Sequence, residues 1–210
     1  MKLANKSCIE FVDELSSKAA IPGGGGAAAL AGSIGIALGS MVCNLTIGKK
    51  KYAEYEEDVK DILNKAKNLE KELLDMIDED AECFLPLSKA YSLPSSTEEE
   101  KKIKEEIMQE ALKSACKVPI KIVKASFEAI KLHENLVDKG SKLAISDIGV
   151  GVQCLRAAIL SAQLNVLINI NYIKDKAYID KVKNEVDKLV DDGVKICDQV
   201  YKKVELSLSK

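Results

Sequence analysis

Apolar residues recur along most of this chain at intervals of three and four, the repeat of one face of an α-helix. Val59, Ile62, Leu63, Ala66, Leu69, Leu73, Met76, Ile77, Phe84 and Leu87 predict a long helix from about 52 to 90, with Pro86 expected to kink or reset it near its end. Ser7 with Glu10 spells a capping box, and Ile9, Val12 and Leu15 predict a short amphipathic first helix behind it. Thr97 with Glu100 spells a second box, opening a charged helix to about Lys117. Pro119 is expected to kink or restart that helix, with Ile122, Val123, Phe127, Ile130 and Leu132 continuing toward His133. Residues 137–146 read as a connector, and Ile179, Val182, Val186, Leu189, Val190, Ile196, Val200 and Val204 predict a last amphipathic helix over about 177–208. Strand signals are weak throughout.

Two stretches break the amphipathic rule by being apolar nearly all round. Ile21 to Gly48 carries no charge in a chain that is 30% charged, and opens on Pro22 and four successive glycines. A helix is predicted over about 27–46, with Gly32, Gly35 and Gly39 on it at helical spacing. Each interior glycine costs about 1 kcal/mol relative to alanine, so close approach of another helix or of a ligand must offset it. The second stretch, 148–172, has Gly149 and Gly151 near its start and Arg156 as its only cation. The expected fold is an all-α helical bundle, one domain over 1–210, with these two helices central and charged helices around them. Two such helices exceed what a 210-residue monomer needs to bury, so a homodimer is expected. Alanine, glycine and scattered polar residues make 27–48 weakly hydrophobic for its length, which favours a buried helix over a membrane span.

Charge and composition narrow the partners. The formal net charge is −2, and Arg156 is the only arginine among 31 basic residues. With no tryptophan and few aromatics, neither a phosphate-reading surface nor a base-stacking platform is expected, so nucleic acid is not an expected partner. The six cysteines are scattered with no CxxC, and His133 is the only histidine, which argues against a zinc site and a His-dependent triad. The N-terminal segment turns acidic where a secretory leader would be apolar, so reduced thiols in a cytosolic protein are expected.

Candidate chemistry is sparse. The glycine run has no strand before it and is not a dinucleotide fingerprint; Gly48-Lys49 lies at a helix exit and is not a P-loop. Exposed amides from Gly23 to Gly26 at a helix N-terminus suit a carbonyl or carboxylate. Asp80 falls on the apolar stripe of its helix, and burying a carboxylate is costly unless it is paired or used. Ser146-Asp147 precedes the second apolar helix and reads as an N-cap. Lys49, Lys50 and Lys51 read as charges closing the glycine helix, and His133 as a surface residue near a helix end.

Several stretches, taken in order, resemble the cyclodeaminase/cyclohydrolase family of folate one-carbon enzymes. They are Pro22-Gly23-Gly24-Gly25, Asn44-Leu45-Thr46 with Gly48-Lys49-Lys50, and Asp78, Asp80 and Phe84 in IDEDAECF. Leu93-Pro94, Val118-Pro119, Ser146-Asp147 with Gly149-Val150, and Asn165-Val166 with Ile168-Asn169 complete the set. The resemblance implies an all-helical homodimer binding a tetrahydrofolate derivative near the dimer interface, with no metal and no cofactor beyond the folate substrate. It implies catalytic roles for Asp80 and Asp147, and substrate contacts from Pro22, Gly23, Gly24, Gly25, Lys49, Lys50 and Ser146. Gly26 stands where many members have serine, and the segment Gly140-Ser141-Lys142-Leu143 resembles the methenyltetrahydrofolate cyclohydrolases more than the cyclodeaminases. The activity implied is hydrolysis of 5,10-methenyltetrahydrofolate to 10-formyltetrahydrofolate. The alternatives are ammonia-releasing formiminotetrahydrofolate cyclodeaminase and a non-catalytic folate-binding dimer.

Overall fold

The computed structural model describes residues 2–209, and every regular element among them is helical. Helices α1 (Cys8–Leu15), α2 (Gly24–Thr46), α3 (Glu56–Tyr91), α4 (Glu98–Leu136), α5 (Ile145–Ile170) and α6 (Lys176–Leu208) are joined by short connections, two of which contain 3-10 turns, and a third such turn precedes α1. Both capping boxes form as the sequence predicts. Ser7 and Thr97 accept from the amides of Glu10 and Glu100, whose carboxylates accept from the two cap amides in return. Of the stripe expected on α1 only Leu15 packs against the core; Ile9 and Val12 are exposed, and Phe11 is buried instead. The segment before α1 is held by Asp78, whose carboxylate accepts from the amides of Leu3 and Ala4.

Helices α2, α3, α4 and α5 form an antiparallel ring, and α6 lies outside it against α5 and α4. The direction follows from the contacts. Gly32 meets Leu73 of α3 and Ala158 of α5, while Gly35 meets Gly151 and Leu155 one to two turns away. The glycines of α2 are therefore where the backbones of α2 and α5 come closest, which accounts for a helix so poor in intrinsic propensity.

Four expectations change. Helix α2 begins at Gly24, so three glycines lie inside its first turn and only Gly23 is left as a cap. The two prolines do not end their helices: α3 continues through Pro86 to Tyr91, and α4 runs unbroken through Pro119. Proline has no N–H to give the carbonyl four residues back; the freed carbonyl of Ala115 accepts instead from Asn169 Nδ2 on α5, at 3.3 Å. His133 is not a surface residue but fully buried, because α4 continues past it to Leu136 and glycines on two other helices make room for its ring. Its Nδ1 lies 3.0 Å from the carbonyl of Ala129, and burial lowers its pKa.

The fourth concerns α2 and α5. They pack on each other, but charged helices do not surround them. Their outward faces line one side of the bundle, where Ile34, Met41, Leu45, Val150, Leu164 and Ile168 are exposed. Both stretches are long and apolar enough to cross a membrane by length and composition, and half or more of each such window is buried inside the bundle.

Candidate active site

The first turn of α2 abuts the middle of α3. Asp78 and Asp80 are two residues apart on α3 and so project to different sides of it. Asp78 turns to the N-terminal segment, and Asp80 turns to the glycines. The Asp80 carboxylate lies directly on the Cα of Gly25, so that a Cβ there would overlap both of its oxygens. Asn165 of α5 occupies the equivalent space beside Gly24, where a Cβ would come within 3.1 Å of its carboxamide. Pro22 is buried beneath Gly26 and supports the turn.

Between these groups is a narrow cavity of about 180 Å3. Its polar lining is Asp80, Asn165, Asn169 and the backbone of Gly23, Gly24 and Gly25; Phe84, Ala115, Pro119 and Ile168 supply apolar walls. Both asparagines are oriented by backbone. Asn165 Nδ2 donates to the carbonyl of Ser161 at 2.8 Å, and Asn169 Nδ2 donates to that of Asn165 at 2.9 Å as well as to Ala115. Both hydrogens of Asn169 Nδ2 are so engaged, which leaves its carboxamide oxygen for a ligand, while Asn165 offers its oxygen and one N–H.

Burial pushes the Asp80 carboxyl up to about 6, against an opposing pull from the Gly26 amide. Among the described residues no lysine or arginine forms an ion pair with it. The arrangement suits a flat ligand that carries positive charge beside Asp80 and hydrogen-bond donors toward the asparagines. A carboxyl titrating near neutrality is also equipped to accept and return a proton. Among the described residues there is no group of three or more His, Cys, Asp or Glu side chains placed to hold a metal ion.

The other residues singled out from the sequence lie elsewhere. Helix α5 starts at Ile145 with Ala144 at its cap, so Asp147 is not the N-cap but an acid in the first turn, favoured there by the helix dipole. It is roughly 27 Å along the helix from Asn165. Ser146 borders a different cavity, between α5 and α6. Lys49 and Lys50 follow the C-terminal end of α2, roughly 30 Å from Gly25, and Lys49 Nζ is 3.2 Å from Ser141 Oγ. The structure thus brings Gly23, Gly24, Gly25 and Asp80 together at one end of the bundle and places Lys49, Lys50, Ser146 and Asp147 at the other. Asn165, Asn169, Phe84 and Pro119 join the first group; the signal for the asparagines is akin to the one that marked Asp80, a polar residue among apolar ones, here on a helix that is apolar nearly all round.

Fold and pocket together define an all-α protein with one buried carboxylate in a glycine-lined cavity. Residues 7–188 match the family described as formiminotransferase-cyclodeaminase, and the chain belongs to that family. It is 42% identical to the methenyltetrahydrofolate cyclohydrolase of Methylorubrum extorquens over 201 residues, covering 96% of this chain and 97% of that protein. It is 32% identical to the formimidoyltransferase-cyclodeaminase of Gallus gallus over 91% of this chain, but that match spans only 35% of the bird protein. Among solved structures, a formiminotetrahydrofolate cyclodeaminase from Thermotoga maritima superposes with a TM-score of 0.81 at 26% identity, covering 99% of this chain and 98% of that one.

Proposed function

We propose that this protein is a methenyltetrahydrofolate cyclohydrolase, hydrolysing 5,10-methenyltetrahydrofolate to 10-formyltetrahydrofolate in one-carbon metabolism. The observation that carries the reading is the Asp80 carboxylate, buried without a cationic partner and pressed against Gly25 in a pocket of carboxamide acceptors. Such a site lacks one positive charge, and the substrate's amidinium supplies it. The near full-length likeness to the Methylorubrum extorquens cyclohydrolase favours this substrate over others of the family.

In this mechanism the Asp80 carboxylate holds the amidinium and takes a proton from water as its oxygen bonds the carbon between N5 and N10. The tetrahedral adduct then loses its bond to N5. Asp80 returns its proton to N5, and the adduct's hydroxyl loses its own as the formyl carbonyl forms on N10. One proton is released overall. Oriented by Ala115 and Ser161, the Asn165 and Asn169 oxygens accept hydrogen bonds from the pterin ring, while Phe84 and Pro119 flank its faces. The reaction calls on no cofactor, since the folate is itself the substrate.

The assembly belongs to the same proposal. The chain acts as one domain over 1–210 and pairs with a second copy through the outward faces of α2 and α5, so that the two apolar helices become central in a homodimer. Those faces carry Ala31, Ile34, Leu38, Met41 and Leu45 beside Val150, Cys154, Ala157, Leu164 and Ile168, without a charged residue. Ile168 and Gly24 sit at the mouth of the Asp80 pocket, so the partner roofs the substrate. A two-fold axis crossing the helices lays the partner's Lys49, Lys50, Ser146 and Asp147 toward this mouth, which is how those four would meet the substrate. Six separate thiols fit a reducing, cytosolic setting, and nothing in the charge pattern favours nucleic acid or a membrane as partner.

The test is loss of the near-ultraviolet absorbance of 5,10-methenyltetrahydrofolate on mixing with the protein, against buffer alone. Loss much faster than in buffer is the expected result. The structural likeness to a formiminotetrahydrofolate cyclodeaminase makes 5-formiminotetrahydrofolate the second sample. Growth of the same absorbance with ammonia release would transfer the reading to that activity, and silence with both substrates would leave a folate-binding dimer.

A further inference from the structure

The 3-10 turn before α5 holds a leucine out in solvent from a fixed mount. Leu143 is 92% exposed, more than any other large apolar side chain among the described residues. The residues beside it are anchored. The Ser141 amide donates to Thr46 Oγ1 at 2.8 Å and the Lys142 amide to Tyr52 Oη at 2.9 Å, while Ser141 and Ala144 are buried. A single exposed leucine is ordinary on a protein surface. This one is not single: it opens a row that runs at helical intervals through Val150, Cys154, Ala157 and Leu164 to Ile168, along the uncharged outward face of α5.

The two ends of the row lie roughly 37 Å apart. Ile168 stands at the mouth of the Asp80 pocket, and Leu143 at the far end of the bundle. An antiparallel pair of α5 helices that buries the whole row sets each end on the other. The two-fold axis then passes midway, between Leu155 and Arg156, with the partner's Leu143 over Ile168. Cys154 and Ala157 flank that point, small enough for the helices to approach closely. Helix α2 returns the same register. Gly32 packs against Ala158 and Gly35 against Leu155, so the axis is level with Ile34 and Gly35. Leu45 is as far beyond that level as Gly24 is before it, which sets the partner's Leu45 over Gly24, also at the pocket.

We propose that Leu143 is a substrate-positioning residue that acts across the dimer: the partner's Leu143 closes the Asp80 pocket beside Ile168 and packs on the substrate's aryl ring. The assignment rests on the folate reading of that pocket and on the homodimer. The cavity of one chain, about 180 Å3, is smaller than the roughly 300–1,000 Å3 that enclose a ligand of this size. With the amidinium at Asp80, the aryl ring on N10 therefore stands at the mouth, where a single chain covers one side of it. The partner's Leu143 supplies the other side. Its contribution is apolar area removed from water as the ring docks, so it acts on substrate binding and not on the proton transfer.

The experiment measures 5,10-methenyltetrahydrofolate hydrolysis by Leu143→Asp, with the dimer checked by light scattering. KM is expected to rise at least about tenfold and kcat to change less, and Leu143→Met is expected to restore the wild-type KM. A heterodimer of Asp80→Asn with Leu143→Asp, isolated through two different tags, separates cover by the partner from cover within one chain. One of its two sites keeps Asp80 and is closed by the partner's Leu143, so about half the wild-type rate is expected at low substrate, well above either parent. A second arm needs no turnover: with Leu143→Cys and Ile168→Cys in one chain, diamide is expected to link two copies beyond anything seen in the single variants. The two positions are too far apart to join within a chain, so this link decides the placement even if Asp80→Asn proves active and the hydrolytic reading falls. No such link, an unchanged KM in Leu143→Asp, or, with Asp80→Asn inactive, a heterodimer no faster than its parents would overturn the proposal.

Discussion

At the scale of single residues, Asp80 carries a stability penalty for which the proposed reaction supplies a chemical use. Its folded pKa of about 6 lies above the ordinary 3.8, so between about pH 4 and 6 the native state binds more protons than the unfolded chain, and stability falls as pH rises through that window. Asp80→Asn is therefore expected to unfold at a higher temperature than the wild type at pH 8, by about 1–3 kcal/mol of stability, with the difference vanishing near pH 4. Thermal unfolding across that range checks it. For the free enzyme the same group predicts that kcat/KM rises with pH and levels off above about 6, as one carboxyl ionises. Gly25→Ala places a methyl on the carboxylate itself, so turnover is expected to fall at least about a hundredfold while the helices remain, a comparison of rate against circular dichroism. Asp80 is legible in the sequence because an acid on an apolar stripe is rare. Its neighbours Asn165 and Asn169 are less so, because what makes them a site is the carbonyl freed by Pro119 and the space left by Gly24, and both are facts of packing between helices distant in sequence.

At the scale of elements, the glycines of α2 and α5 are not alike. A Cβ at Gly151 would meet His133 Nε2 at 2.5 Å, and one at Gly39 would meet His133 Cε1 at 2.8 Å, so these two glycines form the socket of a buried ring. A Cβ at Gly26 meets nothing closer than 3.7 Å. Gly151→Ala is accordingly expected to destabilise by about 1–3 kcal/mol through overpacking, and Gly26→Ala to stabilise by up to about 1 kcal/mol through helix propensity. Urea unfolding of the two variants distinguishes them by sign. Helix identities, both capping boxes and most boundaries can be read from spacing alone, since these depend on residues within a few turns of one another. The unbroken course of α4 and the burial of His133 cannot, because both are decided by what another helix presents across the contact.

At the scale of the molecule, the outward faces of α2 and α5 offer an uncharged surface roughly 34 Å long and two helices wide. That is roughly 700 Å2 for each copy, close to the area a stable complex buries per partner. Leu164 is 66% exposed and Ile34 50% in the single chain. Leu164→Glu together with Ile34→Glu is expected to convert a dimer to a monomer in light scattering, and to weaken turnover because the pocket mouth loses its cover. The sequence points to a shortage of partners for two apolar helices; it does not say that they lie side by side on one flank, which requires knowing that α4 fills the opposite side of the ring. That arrangement is also what separates the Asp80 end from the Asp147 end within one chain.

The most direct test of the account is the rate at which Asp80→Asn hydrolyses 5,10-methenyltetrahydrofolate, measured beside the wild type with both proteins shown to be folded. A loss of about a thousandfold or more, in a variant at least as stable as the wild type at pH 8, is the result expected of a buried carboxylate that moves the proton. Turnover within a few-fold of the wild type would contradict it and remove Asp80 from the chemistry.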